Sequence, residues 1–404
     1  MTTGKRTIAV ITSSRADYSH LYWPLRDLAA HPAVDLRLIA LGSHLAPTFG
    51  NTVQEIERDQ LPIAARIECL LNSDSDVGMA KTIGVATLSL ADTLGQIRPD
   101  LLLLIADRYE MLAPASVALA LRIPVAHIEG GEISQGAIDD AVRNALTKMA
   151  HIHFTSTHLA RRRVIAMGEE PWRVHRAGAP SLDHLRRSTL LTRDQLQQRL
   201  GIELGPRVLL VAYHPVTIQR ETTAEVDALF AALAQTPGPI FFCYPNSDAG
   251  SHHIIQRTHA FLKTRGPESG QSKVFTNLDP ITYWSLLRHV EALAGNSSSG
   301  IMEAASFALP TVNIGLRQKG RERARNVLDA ASDAADILAK LTQARSPQFR
   351  GSLAGMENPY GDGHASEKIV EVLTTIPLTP SLLIKQPQPI PAETNPSANA
   401  GTSS

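Results

Sequence analysis

The sequence predicts an α/β protein made of two doubly wound parallel-sheet domains in tandem. Three observations carry this. The chain has 404 residues, more than one hydrophobic core usually organises. Short, uniformly apolar runs alternate with longer helical patterns along most of it. That alternation comes as two successive sets. A strand that is apolar at every position is covered on both faces, the condition of a parallel sheet with helical crossovers.

The first set of strands reads "TIAVI", "DLRLIAL", "LLLLIA", "IPVAHI", "HIHFTS" and "WRVHRAG"; the second reads "RVLLVAY", "PIFFCY", "KVFT", "EALAG" and "TVNIG". Between them the spacing predicts helices over 86–97, 111–121, 139–150, 222–235, 280–289 and 327–342. The join falls in "GAPSLDHLRRSTLLTRDQLQQRLG", where a Gly and Pro turn precedes a polar stretch. The expected domains are therefore 1–180 and 181–363, followed by a helix over 364–377. The end, 378–404, is rich in Pro, Ser, Thr and Ala and reads as a disordered tail.

Composition narrows the function classes. The 39 basic and 39 acidic residues cancel, so no basic excess points to a nucleic-acid partner. Cys69 and Cys243 lie far apart in apolar contexts, as buried free thiols of a reducing compartment do. No run reaches spanning length, and the start turns polar after one strand's length, unlike a signal peptide. These features predict a soluble cytoplasmic protein with no membrane partner.

In open parallel sheets ligands bind beyond the carboxyl ends of the strands. In the first half those ends carry Ser13-Ser14-Arg15, Gly42-Ser43-His44, Asp107-Arg108 and Glu129-Gly130-Gly131-Glu132. In the second they carry His214-Pro215, Asn246 to Ser251, and Gly295-Asn296-Ser297-Ser298-Ser299-Gly300. The first list is charged; the second is small and hydroxylic. "AGNSSSGIMEAASF" reads as serines leading directly into a helix, a phosphate site by its N–H groups and dipole, or else an ordinary N-cap. Asp107 and Arg108 could be a turn ion pair, and Asp139 with Asp140 suit the first turn of a helix. Glu129, at a strand end beside two glycines, has no such role and is the strongest candidate for chemistry.

Other signals are weaker. His151 and His153 share a strand face without a third ligand, so they read as core or edge histidines, not a metal site. "NSDSDVG" at 72–78 is similar to the DxD of metal-dependent glycosyltransferases but reads as a polar loop. Walker A, GxGxxG, HExxH, CxxC and GxSxG patterns are absent. The sequence offers no redox cofactor site and no ligand set for an essential metal.

Taken together, "SSRADYSHL", "LGSHLAPTFG", "ADRYEMLAPA", "HIEGGEISQGAIDDAVRNALTKMAHIHF", "YHPVT", "YPNSDAGS", "AGNSSSGIMEAASFALPTVNIGLRQKGR" and "NPYGDGHAS" resemble the hydrolysing UDP-N-acetylglucosamine 2-epimerases of sialic and legionaminic acid biosynthesis. The resemblance runs from about residue 6 to 376. It implies two Rossmann-like domains in the GT-B arrangement with the active site in the cleft, a nucleotide-sugar substrate carrying UDP or GDP, and a homodimer or homotetramer. It also implies anti elimination of the nucleotide across C1 and C2 to a glycal, then addition of water. Carried across by position, the catalytic acids are Asp107, Glu129 and Asp139. Nucleotide or substrate contacts fall on Arg15, Arg108, His214, Asn246, Ser297, Ser298, Glu303 and Arg317, with Glu132 and Arg143 in supporting positions. Ala106 stands where the family usually has Gly, and Asn144 where it usually has His. The second departure bears on the sugar, in the direction of a 2,4-diacetamido-trideoxy substrate.

This chemistry explains the acids. C2–H of an acetamido sugar becomes acidic only as C1–O cleavage gives the ring oxocarbenium character, which carboxylates stabilise while one of them takes the proton. Glu129 and Asp107 are both candidates for that base, with Asp139 delivering water or protons. A non-hydrolysing 2-epimerase, a GT-B glycosyltransferase and a non-catalytic nucleotide-sugar binder are the competing readings.

Overall fold

A computed structural model describes residues 4–71, 73, 75–135, 137–216, 225–245, 248, 250–266 and 271–388. The first sheet contains β1 (Arg6–Thr12), β2 (Val34–Leu41), β3 (Ile63–Ile67), β4 (Leu101–Ile105), β5 (Val125–Ile128), β6 (Ile152–Thr155) and β7 (Val174–Arg176), in the order β3-β2-β1-β4-β5-β6-β7. The second contains β8 (Leu209–Ala212), β9 (Ile240–Cys243), β10 (Lys273–Phe275), β11 (Ala292–Gly295), β12 (Thr311–Ile314) and β13 (Val327–Ala330), in the order β10-β9-β8-β11-β12-β13. Neighbouring strands run parallel in both sheets, for example β1 with β4 and β8 with β11.

The apolar runs form these strands because both faces are covered. Leu101, Leu103 and Ile105 of β4 join one core layer, Leu102 and Leu104 the other, and all are fully buried. Each such side chain contributes about 2 kcal/mol by leaving water. Strand order reverses between β1 and β4 and again between β8 and β11. The loops that follow these four strands therefore open onto a crevice in each sheet.

Four features differ from the sequence reading. The helix expected over 86–97 begins at Asp76, capped by Ser75, so the end of "NSDSDVG" is helical. β3 ("IAARI") is an edge strand of alternating exposure, so it lacks the apolar run that marks the others. The helix expected over 327–342 is instead β13, Val327–Ala330, followed by a helix over Ala334–Arg345. Asp333 caps that helix, accepting from Ala335 N and Asp336 N. The expected tail also begins too early. Residues 378–388 lie on the first half, where Arg173 donates to the carbonyls of Leu382 and Ile384 at 2.8 Å each, and Lys385 donates to Lys148 O at 2.6 Å and Ala150 O at 3.0 Å. Residues 389–404 lie outside the described residues.

The chain passes between the halves twice, side by side. Ala179 N donates to Tyr360 O at 2.8 Å. The Asp183 carboxylate accepts from Ala365 N and Ser366 N, each at 2.8 Å. That bond caps the helix Ala365–Thr375, which returns Ile369 and Leu373 to the core of the first half.

Candidate active site

The strand-end loops of both halves meet in one cleft. Arg15, Asp107, Arg108, Glu129, Asp139, His214, Ser297, Ser298, Glu303 and Arg317 all line it. Glu132 and Arg143 do not. They sit behind its wall, with side chains 1% and 0% exposed. Asn246 lies outside the described residues. Gly42–His44 also miss the cleft, since His44 is buried between the Thr12 and Thr52 hydroxyls.

Backbone geometry aims the acids. Ala106 and Glu129, directly after β4 and β5, both hold left-handed φ, 58° and 68°, a conformation that costs a non-glycine residue about 1 kcal/mol. Ala106 thus takes on strain that a glycine at the same position would not. Its carbonyl accepts from His127 Nε2 at 2.7 Å. Gly131 is required where it stands, because a Cβ there would meet Ala160 O at 2.3 Å.

Each acid has its own cationic partner. Asp107 forms an ion pair with Arg143, whose guanidinium also donates to Glu129 O at 3.0 Å and Ser134 Oγ at 3.4 Å. Asp139, the first residue of the helix Asp139–Met149, meets Arg317 of the other half at 3.0 Å. Burial raises the Asp139 pKa against the pull of Arg317, and Asp248 adds to the rise. Glu129 meets His20 Nδ1 at 2.7 Å. Burial would lift its pKa, but His20, followed by Arg321 and His127, brings it below the usual carboxylate range. Glu132 is pushed up to about 7 by burial, only partly offset by Arg321 at 3.7 Å.

The second half offers a more neutral wall. Asn296 grips the main chain of His214 from both sides, accepting from its N–H at 2.7 Å and donating to its carbonyl at 2.8 Å. Burial, with Arg317, Arg15 and Arg108 nearby, drives the His214 pKa well down, so its imidazole is neutral near pH 7. The serines lead into a single 3₁₀ turn, Ser298–Gly300, not into an α-helix. This corrects the macrodipole expectation; what the turn presents is hydroxyls and local N–H groups. Arg317 and Gln318 both donate to Asn296 O, at 3.2 Å and 2.9 Å. Glu303 Oε2 and Gln318 Oε1 have no hydrogen-bond partner among the described residues.

Sequence reasoning missed several groups. His20 lies inside a quoted motif, but its partner is 109 residues away. Arg321 and Asp248 were likewise passed over; Asp248 reaches Arg108 at 3.1 Å, while Glu110 holds the same guanidinium by two bonds. Among the described residues no three His, Cys, Asp or Glu side chains cluster as a metal site, and no helix is long and apolar enough to cross a membrane.

The UDP-N-acetylglucosamine 2-epimerase family matches residues 26–374. The chain belongs to that family. Among its relatives is a UDP-N,N'-diacetylbacillosamine 2-epimerase (hydrolyzing) of Legionella pneumophila, 36% identical over 94% of this chain and 98% of that one. Another is a GDP/UDP-N,N'-diacetylbacillosamine 2-epimerase (hydrolyzing) of Campylobacter jejuni, 33% identical over 86% and 89%. Both relatives are named as hydrolysing 2-epimerases, and this family member is of that class. A crystal structure of the Neisseria meningitidis UDP-GlcNAc 2-epimerase bound to UDP-GlcNAc superposes with a TM-score of 0.74 at 19% identity, covering 91% of this chain and 99% of that one. The fold is accordingly the GT-B arrangement of two parallel-sheet domains.

Proposed function

We propose that this family member converts a nucleoside diphosphate-linked 2,4-diacetamido-trideoxyhexose, with UDP or GDP as carrier, into the free manno-configured sugar and the nucleoside diphosphate. UDP-N-acetylglucosamine is the alternative substrate. The observation that carries this reading is the single cleft with Asp107, Glu129 and Asp139 on one wall and Ser297, Ser298 and Arg317 on the other. The diacetamido sugar is favoured by two relatives whose names carry diacetylbacillosamine, at 36% and 33% identity.

The chemistry follows from the groups. Arg15, Arg317 and the donors around Ser297 and Ser298 hold the departing diphosphate, each strengthening as charge builds on it and each supplying about 3 kcal/mol. As C1–O breaks, the electron pair leaves with the diphosphate. Glu129 takes the C2 proton, and the C2–H pair becomes the C1–C2 double bond of a glycal. Water then adds, its oxygen to C1 and a proton to C2 from the opposite face. Asp139, whose proton is held more tightly than usual, is suited to deliver that proton or orient the water. Asp107, paired with Arg143, stabilises positive charge on the ring. The free product is the type of sugar from which nonulosonates are built.

The test is incubation of the purified protein with UDP-N-acetylglucosamine and with UDP- and GDP-linked diacetamido sugars in heavy water, with products read by mass spectrometry. Free sugar carrying one deuterium at C2, plus nucleoside diphosphate, is expected. An epimerised sugar still bearing its nucleotide would overturn the hydrolysing reading. Consumption that requires an added acceptor would make the protein a glycosyltransferase.

A further inference from the structure

His20 lies in the cleft between carboxylates of both halves. It lies on the helix Arg15–Ala30, whose N-terminus Ser14 caps. Its Nδ1 is 2.7 Å from Glu129 Oε1 and its Nε2 is 3.4 Å from Glu303 Oε1. Glu303 Oε1 also accepts from the Ser181 hydroxyl at 2.5 Å. The His20 side chain keeps 15% of its surface open to the cleft. Nδ1 is hydrogen-bonded to Glu129, Nε2 lies within ion-pair range of Glu303, and two facing carboxylates favour the doubly protonated ring.

We propose that His20 is a positioning residue of the reaction proposed above: an imidazolium that keeps Glu129 anionic and aimed, its charge also facing Glu303 of the second half. Burial alone would protonate Glu129 and leave it unable to accept a proton. His20 opposes that directly, and Glu303 of the second half adds a further carboxylate that favours its charge. Glu129 therefore meets the sugar as a base oriented by a cation that itself takes no proton from C2.

The groups facing His20 support its charge. Asp17 lies on the same helix, Glu129 follows β5, Glu303 comes from the second half, and His184 from the crossing is held neutral in part by the His20 charge. Burial pulls the His20 pKa down, but Glu129, Glu303 and Asp17 together raise it to about 9. The imidazolium and its bonds are therefore present through neutral pH and are lost as pH rises through about 9.

The experiment has two arms, both on the full chain. In the first, kcat is followed against pH for the wild type, His20→Asn and His20→Lys. His20→Asn should lower kcat near neutrality about 10- to 100-fold, as a misaimed catalytic group does. It should also abolish the basic limb near pH 9 and move the acidic limb upward, because Glu129 reverts toward its burial-raised value. His20→Lys restores a cation and should recover most of the loss. An Asn variant with both limbs unmoved, or a loss that Lys does not rescue, overturns the proposal. In the second arm, NMR of ring-labelled histidine follows His20 itself. It should titrate near 9 in the wild type and fall toward the ordinary value near 6.5 in both Glu129→Gln and Glu303→Gln. A wild-type ring titrating at the ordinary value, or one unmoved by either change, overturns the proposal. If no nucleotide sugar is turned over, the reaction reading fails while the NMR arm still decides the state of His20.

Discussion

The loops after β5 and β11 sit across the cleft from each other and handle charge in opposite ways. The first, Glu129 to Glu132, carries carboxylates whose protonation is set by buried neighbours: His20 lowers Glu129, and burial lifts Glu132 to about 7. The second, Gly295 to Gly300, carries no ionisable group at all and works through hydroxyls and backbone donors that Asn296 and Gly295 hold in shape. A Cβ on Gly295 would meet Ala212 O at 2.0 Å, so that turn is fixed by backbone fit. On one wall a substitution alters protonation and the chemical step; on the other it alters geometry and binding.

The largest expected effect tests the chemical wall. Glu129→Gln should lower kcat about 10²- to 10⁴-fold, the range for a lost general base, while calorimetry finds UDP affinity unchanged. A comparable loss of UDP affinity would erase the contrast between the walls. Next is Arg143→Met. Its guanidinium is fully buried against Asp107, and breaking such a pair costs about 3–5 kcal/mol, read as a lower urea midpoint. Stability equal to wild type would mean that Asp107 finds another partner.

Glu132→Gln sharpens the protonation side. The folded protein holds the Glu132 proton more tightly than the unfolded chain, where the ordinary value is 4.5. Its stabilising contribution is complete below that value and is lost as pH climbs to about 7. The Gln variant cannot ionise, so it should gain about 2 kcal/mol on wild type between about pH 5 and pH 8, from a shift of this size. Thermal melts across that range check it, and parallel curves would refute it. The smallest effect belongs to the binding wall. Ser298→Ala should weaken UDP binding by about 1 kcal/mol, one hydrogen bond's worth, without moving either limb of the pH profile.

Much of the frame was legible in the sequence for a simple reason. A strand buried on both faces, such as "LLLLI", announces itself through composition, and the residue after it is then located in the cleft by topology. That logic reached Asp107, Glu129, His214 and Ser297. It failed at the sheet edges, where β3 exposes alternate residues and β13 ("VLDA") mixes an Asp and Ala into what resembles a helix. It also failed where a residue's meaning lies in a distant partner. His20 reads as one polar position on a helix until Glu129 and Glu303 are folded against it. Arg321 needs Glu132, and Asp248 needs Arg108.

The paired crossings at Ala179–Asp183 and Tyr360–Ser366 mean that β1 and the helix Ala365–Thr375 belong to one lobe and the other lobe hangs from it by two adjacent stems. A body held at two pins can swing about the line joining them but cannot twist freely or slide. Opening to admit substrate and shutting on it would then follow a single arc, returning Ser298 to the same spot opposite Glu129 on every cycle.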